Sequence, residues 1–158
     1  MQFTFAVTAA LFGAALAAPA PQSNQTKESV QITDFHARKN HLQGTLNGPV
    51  DSIDFKIIAS EEAGTKGFVC TASAAEGEDK LKMKPNAYNC KGGDDNHHYA
   101  FELVSVGDDN VMTLQIIHQT APAFGFWGNV DVPTYCHAGG DETMICQQIG
   151  DVTANLHL

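Results

Sequence analysis

The densest group of side chains that could do chemistry is the stretch Asp94-Asp95-Asn96-His97-His98. Carboxylates and neutral imidazoles are common ligands of divalent transition metals. Adjacent residues of an extended strand point to opposite faces, however, so His97 and His98 cannot easily hold one ion. We interpret the stretch as a polar loop that runs into a strand, and we expect no metal and no cofactor. Asp94, Asp95 and His97 remain candidates for a binding surface.

The chain lacks the motifs of the common hydrolases. It has no G-x-S-x-G nucleophile motif and no H-E-x-x-H zinc motif. Its cysteines are expected to be bridged, so no thiolate is free to attack a substrate. A carboxylate pair for glycoside hydrolysis stays open because acidic residues are many, although acidic turns explain most of them. The remaining histidines are scattered along the sequence and form no recognisable catalytic group. From these observations together, we predict that the protein is not an enzyme.

Charge and composition exclude several classes of partner. The 158 residues include 9 Lys and Arg against 18 Asp and Glu, a formal net charge of −9 at pH 7. A nucleic-acid-binding protein needs a basic face that displaces counterions, and anionic lipid attracts the same kind of surface. We therefore expect neither nucleic acid nor a membrane as a partner. The length suits one domain, and a hydrophobic fraction of 43% is enough for a core.

The N-terminus predicts a secreted, extracellular protein. Residues 1–17 carry no charged side chain and include an apolar run from Phe3 to Leu16. This is the pattern of a signal peptide, and Ala15-Leu16-Ala17 satisfies the small-x-small rule for cleavage after Ala17. Cleavage one residue later is nearly as compatible with the rule. A transmembrane anchor fits less well because the apolar run is short for a bilayer.

The mature chain is predicted to begin with a loose arm and to continue as one domain. Residues 18–30 are rich in Pro, Ser, Gln and Asn, which is typical of an unpacked terminus. Asn24 lies in the only N-glycosylation sequon and is the candidate glycan site, whether or not it is occupied. Residues 31–158 are predicted to form the single domain.

Four cysteines, Cys70, Cys90, Cys136 and Cys146, predict two disulfides in a secreted chain. They allow three pairings. The sequential pairing, Cys70–Cys90 and Cys136–Cys146, is favoured because it joins neighbours within hairpin-like segments. A zinc site is disfavoured because the chain has no C-x2-4-C pair. In the chain-entropy treatment, each bridge of this span stabilises the fold by roughly 3 kcal/mol.

Hydrophobic residues that alternate with polar ones predict an all-β domain. The alternation runs through residues 52–59, 99–103, 112–116 and 124–132. Turn-forming residues separate these segments, and residues 107–110 are predicted to form a tight hairpin loop. About nine strands are expected and no convincing helical period appears. The predicted architecture is a compact antiparallel β-barrel or sandwich-like barrel.

The densest aromatic run, residues 123–128, contains the only tryptophan. If Phe124 and Phe126 face the core, alternation places Trp127 on the outside. An exposed tryptophan is a common anchor of protein interfaces. An equally supported alternative is that a neighbouring loop covers it. Trp127 and the loop at residues 92–98 are the surface that we predict to bind a partner.

The segment 80–84, KLKMK, places three ammonium groups on one face of an extended stretch. The favoured interpretation is a protected sheet edge, because lysines and the following Pro85 discourage edge-to-edge pairing. The alternative is a basic strip that meets an acidic partner.

Several segments resemble the fungal proteins related to the Alternaria major allergen. They cover about residues 31–156 and follow one another in the order of that family. They are Ile32–Lys39 (I-x-x-F-x-x-R-K), Ile53–Ile57, Phe68–Ala72 (F-x-C-x-A), Tyr88–Cys90 (Y-x-C), and Pro133–Gly140 with Ile145–Gln147 (P-x-Y-C-x-A-G-G…V-C-Q).

The resemblance implies a compact β-barrel with the same two bridges, in a small secreted fungal protein. It implies relatives that are allergens and elicitors or effectors that engage plant defence proteins, and it brings no catalytic residue. The allergen has an extra cysteine near its mature N-terminus that links two chains. Residues 18–31 contain no cysteine, so a monomer or a weak non-covalent dimer is expected.

Three hypotheses for the function follow. The first is a non-enzymatic elicitor or effector that binds a host plant extracellular defence protein or receptor. The second is a carrier of a small apolar, flavonoid-like ligand, because barrels can hold such ligands inside or at a mouth. The third is a secreted hydrolase.

Overall fold

The chain folds into nine antiparallel strands within the residues that the structure describes. The structure is a computed structural model that describes residues 28–40, 48–59, 67–92, 98–140 and 142–158. None of these residues forms a helix long and apolar enough to cross a membrane. The strands are β1 (Glu28–Asn40), β2 (Val50–Ala59), β3 (Phe68–Ser73), β4 (Tyr88–Asn89), β5 (His98–Val106), β6 (Val111–Ala121), β7 (Phe124–Gly140), β8 (Thr143–Gln148) and β9 (Val152–Leu156).

The predicted signal peptide and most of the predicted arm lie outside the described residues and stay predictions. The predicted arm extends to residue 30, whereas β1 begins at Glu28. Residues 28–32 are strand because they pair with β9. The tight hairpin predicted at 107–110 is confirmed, since the Gly107 N–H donates to the Val111 carbonyl over 2.7 Å between β5 and β6.

The strands form a nearly closed barrel, which confirms the predicted all-β class. They lie in the order β3-β2-β1-β8-β7-β6-β5-β4, and β9 pairs with the first half of β1 while β8 pairs with its second half. The barrel closes where Val69 of β3 and Lys91, just after β4, exchange two backbone hydrogen bonds of 2.7 Å. Closure leaves few unpaired strand edges, which limits edge-to-edge association.

Side chains of one parity from each long strand fill the interior, as the alternating sequence predicts. A row of aromatic rings crosses the barrel: Phe35 and Phe55 lie 5.8 Å apart, Phe55 and Phe101 4.9 Å apart, and Phe101 and Tyr88 5.4 Å apart. Rings at these spacings gain stabilisation beyond the apolar area they bury. This row ties β1, β2, β5 and β4 together.

The condition that Phe124 and Phe126 both face the core holds only for Phe126. Phe124 is 54% exposed and stands at the start of β7, beyond the buried part of the barrel. Phe126, two residues further along, packs partly against the core. Alternation of hydrophobic and polar residues indicates which face of a strand a side chain lies on. Whether that side chain is buried also depends on how far along the barrel axis the residue lies.

The prediction that residues 80–84 form a protected sheet edge is wrong. The segment lies in the connection between β3 and β4 and carries no strand. The Leu81 N–H donates to the Val50 carbonyl over 2.8 Å, and the Lys84 N–H donates to the Leu103 carbonyl over 2.8 Å. Because these bonds reach two different strands, the segment crosses one end of the barrel and buries Leu81 there.

The predicted disulfide pairing is confirmed, and the described residues contain no free cysteine. Cys136 and Cys146 are direct partners in the β7–β8 hairpin, as expected. Cys70 and Cys90 are not neighbours within a hairpin. They join the two ends of the strand order, at the point where the barrel closes.

The side chain of Gln148 forms hydrogen bonds with backbone groups where the pairing of β1 is irregular. The pairing of β1 with β2 shifts between Thr33 and His36, and Asp34 has a φ of 54°. The Gln148 amide donates to the carbonyls of Ile32 (2.9 Å) and Gly150 (2.8 Å), and its oxygen accepts the Phe35 N–H at 3.4 Å. Gln148 therefore satisfies backbone groups that the ladder leaves unpaired.

We expect Gln148→Ala to lower the free energy of unfolding by about 1–3 kcal/mol, because it leaves partly buried backbone groups without partners. Gln147→Ala is the matched control, since the Gln147 side chain is exposed, and should change stability by no more than about 0.5 kcal/mol. Urea unfolding of both variants measures the difference. Equal losses of unfolding free energy in the two variants would show that the hydrogen bonds of Gln148 do not contribute to stability.

Candidate functional site

Trp127 is held rigidly on the outside of the barrel. Its backbone N–H and carbonyl each form a 2.9 Å hydrogen bond with His157, and on the other side of β7 it pairs with Ile117. The residue is 50% exposed, so the predicted outward orientation is confirmed and the alternative of a covering loop is wrong. An aromatic side chain on a fixed backbone loses little conformational entropy on binding.

Two glycines let β7 approach its neighbours closely beside the indole. A Cβ atom on Gly128 would collide with the backbone carbonyl oxygen of Asn155, and one on Gly125 with that of His118. Backbone atoms cannot move aside as the end of a side chain can. The run Gly125-Phe126-Trp127-Gly128 therefore permits the strand contacts that seat Trp127.

The register of β5, β6 and β7 places other side chains on the same outer face. Ala100 and Ile117 form a row with Trp127, and the next row contains Glu102, Gln115 and Asn129. These six residues, Trp127 among them, and Asp131 are together called the Trp127 face.

Polar contacts order the part of the Trp127 face beside the indole. The Gln115 amide donates to Asn129 Oδ1 over 3.2 Å, and the Thr113 hydroxyl donates to Asp131 Oδ1 over 2.7 Å. The face presents an exposed indole, the amide of Asn129 and the carboxylate of Asp131, whereas Glu102 and Gln115 are buried. Such a surface suits a partner that offers an apolar pocket and basic or donor groups around it.

The other predicted binding residues, Asp94, Asp95 and His97, lie outside the described residues, as does Asn24. Their roles, and the binding role of Trp127, stay predictions. The described chain resumes at His98, which is exposed and pairs with Gln119. His98 lies two residues before Ala100, so the predicted loop joins β5 at an edge of the Trp127 face.

A pocket of about 230 Å³ opens at the end of the barrel that residues 80–84 cross. We call it the mouth pocket. Val50, Leu81, Leu103 and Val106 supply apolar walls, and its charged groups are Lys39, Lys80 and Asp108. Both a cation and apolar surface are therefore available to a small molecule there.

Lys39 is only 1% exposed, and its Nζ donates to Asn110 Oδ1 over 3.0 Å. Burial lowers the pKa of Lys39 below its usual value, and the negative charge of Asp108 partly opposes that shift. Sequence reasoning missed this residue, although Phe35, Ala37 and Lys39 share one parity and all three are buried.

At the opposite end of the barrel, three polar side chains meet. The Tyr99 hydroxyl donates to Glu28 Oε1, and His118 Nδ1 lies 2.6 Å from Glu28 Oε2. The His118 and Tyr99 rings are stacked with centroids 4.1 Å apart. The cluster ties the start of β1 to β5 and β6. Within the described residues, no group of three or more His, Cys, Asp or Glu could hold a metal ion.

Comparison with known proteins agrees with the fold. The family model described as Alternaria alternata allergen 1 matches residues 32–146. The effector protein PevD1 of Verticillium dahliae is 32% identical over 161 aligned residues, which cover 97% of this chain and 92% of that protein. Its counterpart in strain VdLs.17 of the same fungus matches equally well.

Solved structures of a relative share the barrel. A crystal structure of the Alternaria alternata allergen Alt a 1 superimposes with a TM-score of 0.61 at 27% identity, covering 88% of this chain and 95% of that one. A second structure of the same allergen gives a TM-score of 0.59 at 26% identity, covering 82% and 93% of the two chains. The family match, the effector relative and the shared barrel agree, and the chain belongs to the family of Alternaria alternata allergen 1.

Proposed function

We propose that this effector- and allergen-like protein is secreted and acts without catalysis, by binding a host plant extracellular defence protein or receptor. The name of the relative PevD1 as an effector supports the general role. Two disulfides in one small domain suit an oxidising extracellular compartment. The observation that carries the binding mechanism is the half-exposed indole of Trp127 on a fixed strand.

In this mechanism the Trp127 face is the docking surface. A buried tryptophan at the centre of an interface often supplies much of the binding energy. The exposed carboxylate of Asp131 on the same face, in a chain with a formal charge of −9, favours approach of a partner with a basic surface. The indole would fill an apolar pocket of that partner while the Asp131 carboxylate meets one of its cationic groups.

Purified protein should trigger an oxidative burst in leaf tissue, and Trp127→Ala should weaken it. The expected change is an increase of about 30-fold in the concentration for half-maximal response, which corresponds to ~2 kcal/mol of lost binding. Tyr135→Ala is the matched control because Tyr135 is an aromatic residue of the same strand and is 66% exposed. Its response should equal that of the native protein.

Reduced and alkylated protein tests whether the folded surface is the signal. If it is, the burst is lost with the disulfides. An equal burst from the unfolded sample would mean recognition of a linear peptide. An unchanged response of Trp127→Ala would refute the assignment of the Trp127 face, and the absence of a burst from native protein in several plants would refute the elicitor function.

A further inference from the structure

The ammonium group of Lys39 has unused hydrogen-bonding capacity at the mouth pocket. An ammonium has three N–H donors, and among the described residues Asn110 accepts the only hydrogen bond from Lys39 Nζ. Lys39 forms no ion pair with any described carboxylate. Asp108 acts on this charge from beyond ion-pair distance and offsets the cost of burying it only in part. An anion in direct contact would offset more of that cost.

The charge around the mouth pocket favours an anion. Two ammonium groups, those of Lys39 and Lys80, stand against one carboxylate, that of Asp108. The lining is therefore net positive, although the whole chain is strongly negative. Asp108 is exposed on the β5–β6 turn, so it opposes the ligand from the rim and not from the buried end of the pocket.

Size and wall chemistry narrow the class of ligand. The mouth pocket of about 230 Å³ is smaller than the ~300–1,000 Å³ of sites for drug-sized molecules, and it shares Lys80, Leu81 and Met83 with an adjoining cleft of about 760 Å³ along residues 78–86. Of the lining residues, Leu81 is buried, while Met83 is 43% exposed and can adapt its shape. We propose that the mouth pocket binds a small apolar monocarboxylate, about one aromatic ring in size, whose carboxylate pairs with Lys39. The proposal does not rest on the effector function, because it uses the barrel end and not the Trp127 face.

Benzoate is the probe, and benzamide is its neutral counterpart of the same shape. Isothermal titration of the full protein should show benzoate binding about tenfold or more tighter than benzamide, since a hydrogen bond to a charged group is worth ~1.5–3 kcal/mol. Lys39→Met keeps an apolar stem of similar size and should weaken benzoate about tenfold or more by the same reasoning. Lys91→Met, at an exposed lysine, should leave binding unchanged.

Asp108→Asn keeps the test decisive if Lys39→Met fails to fold. Removing the opposing carboxylate from an exposed turn should tighten benzoate binding several-fold and leave benzamide unaffected. Equal affinity for benzoate and benzamide, or no measurable benzoate binding to the native protein, would overturn the proposal. So would a folded Lys39→Met that binds benzoate as the native protein does.

Discussion

Replacing Phe101 with Ala should lower the free energy of unfolding by about 3–5 kcal/mol, the usual cost of deleting a buried aromatic ring. Phe101 is fully buried and lies between the rings of Phe55, at 4.9 Å, and Tyr88, at 5.4 Å. Its loss would interrupt the row of rings that joins strands on opposite sides of the interior. A well-packed barrel cannot collapse freely into the cavity, because its strands are tied by ladders on both sides.

Urea unfolding of Phe101→Ala and Phe124→Ala compares the same side-chain deletion inside and outside the barrel. Phe124 is 54% exposed, so its loss should change stability by no more than about 0.5 kcal/mol. Phe101→Leu retains part of the buried volume and should fall between the two. A loss for Phe101→Ala no greater than that for Phe124→Ala would contradict the packing described for the core.

The two disulfides should differ in their contribution to stability. Replacing Cys70 and Cys90 together with Ala is expected to cost about 3–5 kcal/mol, and replacing Cys136 and Cys146 about 2–3 kcal/mol. The first bridge closes the longer loop, and among the described residues a single pair of backbone bonds, between Val69 and Lys91, supports the closure beside it. The second lies inside the β7–β8 hairpin, whose backbone ladder pairs residues on both sides of the bridge.

Thermal and denaturant unfolding of the two double variants under non-reducing conditions measures this order. The reverse order would mean that the β3–β4 closure contributes little to the stability of the barrel. The leaf-tissue response of the same variants should follow the fraction that is folded at the assay temperature, because recognition is proposed to need the intact surface.

The features of the fold that follow from local patterns could be predicted from the sequence. Period-two hydrophobicity identified the inward faces around Phe55, Phe101 and Leu114, and the spacing of the cysteines favoured the correct pairing. Residues 80–84 could not be placed, because their backbone partners, Val50 and Leu103, are distant in the sequence. No local pattern shows such a crossing.

The candidate sites were predictable to different degrees. Alternation was enough to place Trp127 outside, but its neighbours Ala100 and Ile117 depend on the registers of three strands. The same parity rule extends to Lys39, after Phe35 and Ala37, and to His118, after Leu114 and Ile116. The parity rule therefore predicts that the side chains of Lys39 and His118 point inward. Their partners, Asn110 and Glu28, come from other strands or loops, so the chemistry of either residue needed the tertiary structure.

The pairing of β9 with the first half of β1 also governs when the barrel can form. Glu28 pairs with Leu156, and Ile32 with Val152. The first strand therefore cannot complete its pairing before the last strand has been made. Contacts of such long sequence separation make folding slow, because the loop entropy is lost before they form. During synthesis β1 has β2 on one side only, and its other edge stays open until β8 and β9 have emerged. Closure therefore cannot precede the synthesis of β8 and β9, and the interval before it is when this chain most needs protection from association with other chains.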